Sequence, residues 1–159
     1  MKKFSSPDGM TLCIIDNVWE RFVQYQKEGD FTLENGGILI GILNPADNQV
    51  VITDHTEAAE TDKRSRFHFF RSQNLHQQIM DELWETSGYL KTYLGEWHTH
   101  DEDIPKPSVI DTHQWKKINR RNHNSKNLFY VILGKKEIKV WTIVDGNIMV
   151  VEEGEKWHS

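Results

Sequence analysis

Cysteine is the scarcest of the informative residues in this 159-residue chain, with Cys13 alone. One thiol excludes an intramolecular disulfide and any Cys-x-x-Cys motif. Its setting, "LCII", is that of a small apolar packing residue and offers no electropositive cleft to form a reactive thiolate. Long apolar runs are missing too: nothing approaches the roughly 18 residues of a membrane span. The opening "MKKFSSPDGM" lacks the apolar core of a signal segment. The expectation is a cytoplasmic protein without membrane contacts. Positive charge is also short, with 19 Lys and Arg against 24 Asp and Glu and a net charge of −5. That argues against a nucleic-acid partner, whose binding rests on neutralised phosphates. The one basic stretch, "KKINRRNHNSK" from Lys116 to Lys126, reads as a solvated helix end. There is no P-loop, no G-x-S-x-G and no H-E-x-x-H.

What is present suits a packed core. Six Trp and seven Phe accompany many Ile and Leu, and no repeat or low-complexity tract breaks the chain. Residues 1–159 therefore read as one domain, long enough to bury about 70% of its unfolded surface. "TLCII" (Thr11 to Ile15) reads as a strand, and Asp16 or Asn17 can cap a helix running to about Gly29. "GGILIGIL" (Gly36 to Leu43) is a strand covered on both faces, turned by "NPADN" into the strand "QVVIT". Thr56 to Arg66 is polar and aperiodic, a surface loop, followed by a short strand "FHFF".

Leu75, Ile79 and Leu83 then mark one stripe of a helix from Ser72 to Thr86, stopped by Gly88. "YLKTYLGEW" is the next strand, and a further helix follows Ser108. "NLFYVIL", "EIKVWTIV" and "NIMVVEE" close the chain as a meander turning at "GKK" and "DG". These elements predict an α/β (α+β) fold, a mixed curved sheet flanked by helices.

The chemistry concentrates in "EWHTHDEDIPKPSVID", Glu96 to Asp111. Alternate residues of a strand face one way, so His98 and His100 project together and could grip one ion. Ser108 and Asp111 have the spacing of a capping box. Ser108, Asp111, Trp115 and Ile118 also share one helical face, and the two apolar members turn it toward the core. A carboxylate drawn inward needs a partner, and a cation shared with two histidines is one. The metallo-β-lactamase pattern would need Asp and His where Glu102 and Asp103 stand. An amidohydrolase barrel needs about 250 residues, and a cupin would have no room for three helices.

"HTH", a seven-residue gap and "PSVID" resemble the JAMM signature of the JAB1/MPN metalloproteases. "ENGGILIG" is similar to the segment that bears that family's upstream glutamate, and the elements come in the family's order along nearly the whole chain. The resemblance implies a zinc peptidase, with Zn2+ on His98, His100 and Asp111, Glu34 as general base and Ser108 donating to the oxyanion. Spacing by itself equally allows Glu96 or Glu102 as the base. With the resemblance, Glu34 takes that role, and Glu96 stays a candidate for supporting a ligand from behind. An Asp follows the second His where relatives often have Pro, which leaves the path of the following loop open.

A short member without fused domains is similar to the bacterial, Prok-JAB kind. That implies a protein substrate with an extended C-terminal tail, either a ubiquitin-like protein or a CD-NTase conjugate of an antiphage CBASS operon. Neighbouring E1-like and E2-like conjugation enzymes would be its partners. The resemblance also admits processing of a sulfur-carrier protein or its cysteine adduct, or a non-catalytic MPN scaffold. Such scaffolds have lost ligands, whereas this chain has all of them.

Overall fold

The computed structural model describes residues 1–58, 63–64, 69–70, 73–121 and 127–154, with backbone alone at 63–64, 69–70 and 73–74. Ten strands and three α-helices alternate along it. They are β1 (Lys2–Ser5), β2 (Thr11–Ile14), α1 (Asp16–Glu28), β3 (Gly36–Asn44), β4 (Gln49–His55), β5 (Lys63–Arg64), β6 (Phe69–Phe70), α2 (Gln73–Thr86), β7 (Thr92–Thr99), α3 (Val109–Asn119), β8 (Phe129–Leu133), β9 (Ile138–Val144) and β10 (Asn147–Glu153). No described helix is long and apolar enough to cross a membrane.

Eight strands form a closed barrel in the order β1-β10-β9-β8-β7-β3-β4-β2, while β5 and β6 make a separate ribbon. The α+β content agrees with the sequence reading, but the expected mixed curved sheet closes into a barrel. The difference lies in β1. Its "KKFS" carries two lysines and gives no strand signal, yet Phe4 and Ser5 pair with Leu12 and Thr11 on one side and with Glu153 and Glu152 on the other. A strand with partners on both sides removes the edges that an open sheet would expose. Two neighbour pairs are parallel, β2 with β4 and β7 with β8, and the chain between each pair must cross over.

All eight barrel strands contribute to one interior cluster, including Phe4, Ile14, Leu39, Ile52, Leu94, Phe129, Val140 and Val151, and α1 adds Val18 and Phe22. On the outer side α2 covers Ile38 and Ile40 with Met80, and α3 lays Trp115 on Tyr130, Ile132 and Trp141. Trp115 and Tyr130 stack at 4.7 Å between ring centroids, an arrangement that adds to the area they bury.

Several boundaries depart from the sequence expectation. Ile15, not Asp16 or Asn17, is the N-cap of α1, with no side-chain cap, and Asp16 opens the helix. The stripe of α2 keeps Ile79 and Leu83 but not Leu75. Leu75 is exposed, whereas His76 and Met80 are buried beside Ile79 and Leu83. The loop expected from Thr56 to Arg66 contains β5, which pairs with Phe69 and Phe70. The rest of "FHFF", and Asn122 to Lys126 of the basic stretch, lie outside the described residues.

One glycine sets the facing of β7. Against β3, Leu39 pairs with Gly95 but Ile40 with Tyr93, so the register slips at this point. Gly95 sits at φ +137°, and a Cβ there would meet the Phe129 carbonyl oxygen at 1.7 Å. The slip is a β-bulge, and it reverses the alternation. Leu94, Trp97 and Thr99 face inward, while Tyr93, Glu96, His98 and His100 face α2 and α3. Gly95→Ala is expected to cost about 3 kcal/mol or more, combining a disallowed φ with a clash on backbone. Thermal melting checks this, and a melting temperature within a few degrees of the parent would count against the bulge as the cause.

A second prediction concerns α1. The Arg21 guanidinium donates two hydrogen bonds to Glu57, at 3.0 and 2.8 Å, and His55 Nε2 lies 3.2 Å from the same carboxylate. The His55 and then the Arg21 hydrogen bonds hold Glu57 down at about 2, against an ordinary 4.5. A carboxylate lowered in the folded state stabilises it above the ordinary value and loses that effect as pH falls through the folded one. Glu57→Gln should therefore cost about 0.2–1 kcal/mol near neutrality, as for a partly exposed pair. The difference in melting temperature from the parent should shrink between pH 4.5 and about 2.

Candidate active site

β7 delivers two histidines to the outer face of the barrel, and the N-terminus of α3 delivers a carboxylate to meet them. His98 and His100 point together because they are two apart beyond the bulge, and both are almost completely buried. Their Nε2 atoms stand 3.0 Å apart. Asp111 closes the group, with Oδ1 3.3 Å from His98 Nε2 and Oδ2 3.1 Å from His100 Nε2. Glu34, only 3% exposed, ends the segment that enters β3 and brings Oε1 to 3.6 Å from His100 Nε2.

Ser108 is the N-cap of α3. Its hydroxyl accepts from the Asp111 N–H at 3.0 Å, and Asp111 Oδ2 accepts from the Ser108 N–H at 2.8 Å. The capping box is real and is part of the site as well. It fixes the carboxylate that faces the histidines, while Trp115 anchors the same helical face in the core.

The donor set fits a divalent ion. Ligand atoms on a tetrahedron with bonds of about 2.0–2.1 Å stand roughly 3.3 Å apart. The two imidazole nitrogens stand 3.0 Å apart and the two Asp111 oxygens approach them at 3.3 and 3.1 Å, close to that spacing, and His98, His100 and Asp111 form a group able to hold a metal ion. Among the protein groups alone, burial works against charge on His100. Hydrogen bonds to Asp111 and Glu102 outweigh it and raise the imidazole to about 9. Asp111 is pushed up by burial but held well below the usual carboxylate range by His98 and His100. Burial, eased by His100 and reinforced by Asp111, lifts Glu34 to about 8. The site thus attracts positive charge and holds one reluctant acid beside it.

Glu102 takes a place that spacing does not assign to it. Its Oε1 lies 3.0 Å from His100 Nδ1 and accepts from the Lys106 N–H at 2.8 Å. A carboxylate on Nδ1 turns Nε2 toward the site and makes it a stronger ligand. No strand period carries this signal, because β7 ends at Thr99 and Glu102 lies in the loop beyond it. Glu96 lies beside Tyr130, whose phenol is pushed up by burial and then by Glu96.

The loop after His100 has a defined path. The backbone N–H of Lys135 donates to Glu102, and those of Lys136 and Glu137 to Asp103, while Lys135 pairs with Asp101. Residues 101–107 therefore lie on the turn between β8 and β9, where Gly134 leaves no room for a side chain against Pro105. Cys13 is fully buried on β2, where its Sγ accepts from Gln49 Nε2 at 3.1 Å.

Two imidazoles and a carboxylate converging beside a buried acid, on the outside of a helix-flanked barrel, define a hydrolase-type site able to hold a metal. The family model for prokaryotic homologs of the JAB domain matches residues 16–144, and the chain belongs to that family. A Vibrio cholerae serotype O1 protein named CD-NTase/cGAS isopeptidase is 34% identical over 135 residues, 84% of this chain and 83% of its own. A Pseudomonas aeruginosa protein of the same name is 30% identical over 141 residues, 88% of each chain. The solution structure of a Desulfitobacterium hafniense protein superposes with a TM-score of 0.60 at 19% identity, covering 91% of this chain and 90% of that one, a likeness of fold. Family and relatives together make this chain a hydrolase of the peptidase type.

Proposed function

We propose that the protein is a zinc-dependent isopeptidase that releases a conjugated protein by cutting after an extended C-terminal tail. The observation that carries this reading is the 3.0–3.3 Å convergence of His98, His100 and Asp111, with buried Glu34 at 3.6 Å from His100. In it, His98, His100 and Asp111 would hold Zn2+, which would supply Lewis acidity toward a water nucleophile near neutral pH. Glu34, buried 3.6 Å from His100 Nε2, would accept that water's proton and pass it to the leaving amine. The Ser108 hydroxyl, whose oxygen already accepts from Asp111 N–H, still has its own hydrogen to donate to the developing oxyanion. No nucleophilic side chain is needed, and hydrolysis proceeds without a covalent enzyme intermediate.

The tail would lie as an added strand, backbone to backbone. Every barrel strand already has two neighbours, so the β5–β6 ribbon is the described strand pair with edges to offer. It follows β4 directly, and the loop 101–107 forms the opposite wall. By analogy with the named relatives, the substrate is a CD-NTase conjugate in the cytoplasm, made by E1-like and E2-like enzymes encoded nearby in a CBASS operon. Such genes beside that of this protein would support the reading.

The test incubates purified protein with such a conjugate and reads the new C-terminus by mass spectrometry. Ortho-phenanthroline is expected to stop cleavage, and iodoacetamide to leave it intact because Cys13 is buried. Cleavage that resists the chelator and ends with the alkylator would move the chemistry to Cys13 and overturn the proposal.

A further inference from the structure

Thr99 stands between the two histidines, and the alternation of β7 turns its side chain to the opposite face, where it is 1% exposed. It meets the residue next to Glu34 there. Thr99 Oγ1 accepts from the Asn35 N–H at 2.9 Å, and the Asn35 carbonyl accepts from the Thr99 N–H at 2.9 Å. This reciprocal pair ties the backbone carrying Glu34 to the backbone carrying both histidines.

Asn35 makes a third connection. Its side-chain Oδ1 accepts from the Gly36 N–H at 2.8 Å and from the Ala58 N–H at 2.9 Å. Ala58 lies on the stem that leads from β4 toward β5. The rest of that stem is held firmly: Thr56 Oγ1 accepts from the Ile38 N–H and contacts Nδ1 of fully buried His76, the Thr56 carbonyl accepts from the Trp97 indole, and Glu57 pairs with Arg21. Gly37 beside it has no space for a Cβ, which would come within 2.2 Å of the Thr56 carbonyl. A displacement of the stem at Ala58 therefore reaches the residue next to Glu34 through one short side chain, beside the Thr56–Ile38 pairing that ties the stem to β3.

We propose that Asn35 is a positioning residue that couples the seating of the β4–β5 stem to the placement of the Glu34 carboxylate, so that a substrate tail lying on that stem and ribbon sharpens proton transfer at the site. The inference rests on the functional reading above, in which Glu34 is the base and the tail runs along β5. Asparagine suits the task because one neutral oxygen takes two backbone N–H donors without placing a second charge beside Glu34. An error of about 1 Å in a catalytic group can cost about 100-fold in rate. A tail that removes such an error would act on kcat and not only on binding.

The test compares two fluorogenic amides, a short acyl-glycine amide and the same amide on an extended tail long enough to reach β5. The parent protein should turn over the extended amide with a higher kcat. Asn35→Ala should keep its metal stoichiometry but lose that advantage, with kcat for the extended amide falling by up to about 100-fold toward that of the short one. Asn35→Asp, which keeps an acceptor in place but brings a second charge beside Glu34, should retain the ratio while both kcat values change. A role confined to folding would lower both kcat values together and leave the ratio alone.

Should Asn35→Ala not fold, Ala58→Pro removes the same hydrogen bond from the donor side, and the ratio should again fall. A parent that holds metal but cuts neither amide would overturn the functional reading, and the coupling with it. A parent that cuts both equally, or an Asn35→Ala or Ala58→Pro protein that keeps the full advantage, would leave that reading standing and overturn the coupling alone.

Discussion

His100→Ala is expected to leave the purified protein with little metal and no measurable cleavage. His100 makes more contacts within the site than any other of its residues. Nε2 lies 3.0 Å from His98, 3.1 Å from Asp111 and 3.6 Å from Glu34, and Nδ1 lies 3.0 Å from Glu102. Replacing it removes one of three proposed ligands and leaves the Glu34 and Asp111 carboxyls without their His100 partner. Loss of a partner that merely supports a ligand already costs about 10–100-fold in metal affinity, so loss of the ligand itself should cost more. Glu102→Ala provides that milder comparison, because it keeps all three ligands and frees only the His100 ring. Metal analysis of the purified proteins should show near-unit zinc for the parent, a reduced affinity for Glu102→Ala and almost none for His100→Ala. Full zinc in His100→Ala would remove His100 from the ligand set and end the assignment.

Glu34→Gln should have the opposite profile, with metal and fold retained and turnover lowered by roughly 10²–10⁴-fold, the scale for a positioned acid or base. Gln keeps the shape and the hydrogen-bonding oxygen but cannot carry the proton. Stability supplies an independent check. Burial lifts the Glu34 carboxyl to about 8 from an ordinary 4.5, so the folded protein keeps a proton there that the unfolded chain gives up. Stability tied to Glu34 is thus present at low pH and declines as pH rises from 4.5 toward about 8. The amide has no such cost, so metal-stripped Glu34→Gln should be at least as heat-stable as the metal-stripped parent near neutral pH, while being far less active. A base costs stability where it works, and loss of activity without loss of stability separates that role from packing. If Glu96→Gln shows the kinetic loss and Glu34→Gln turns over normally, the base has been misassigned.

Much of this was legible along the chain because it depends on neighbours. The period of two aligns His98 with His100, the three-residue spacing of Ser108 and Asp111 makes a reciprocal cap, and Trp115 shows which side of α3 is buried. The turns "GKK" and "DG" joined the last three strands as expected. Where the reading failed, a distant partner decided. In α2, His76 takes the buried place expected of Leu75 because Thr56 satisfies it, which no helical pattern reveals. β1 is a strand because β2 and β10 lie on either side of it, and its own lysines argue for nothing.

The sequence by itself determined the chemistry available here: two imidazoles and a carboxylate at spacings that let them meet, a glutamate in a segment of family likeness, and a thiol with no setting for reactivity. Tertiary structure alone decided how these are presented. The bulge at Gly95 selects the outer face for both histidines, because the Phe129 carbonyl allows no side chain at that point. Closure of the barrel through β1 gives every strand of the main sheet a neighbour on each side. Glu102 on His100, and Asn35 between Thr99 and Ala58, draw together residues up to 64 positions apart. Local spacing sets which side a residue faces, but the register between remote strands sets what it faces, and that register is a property of the folded chain.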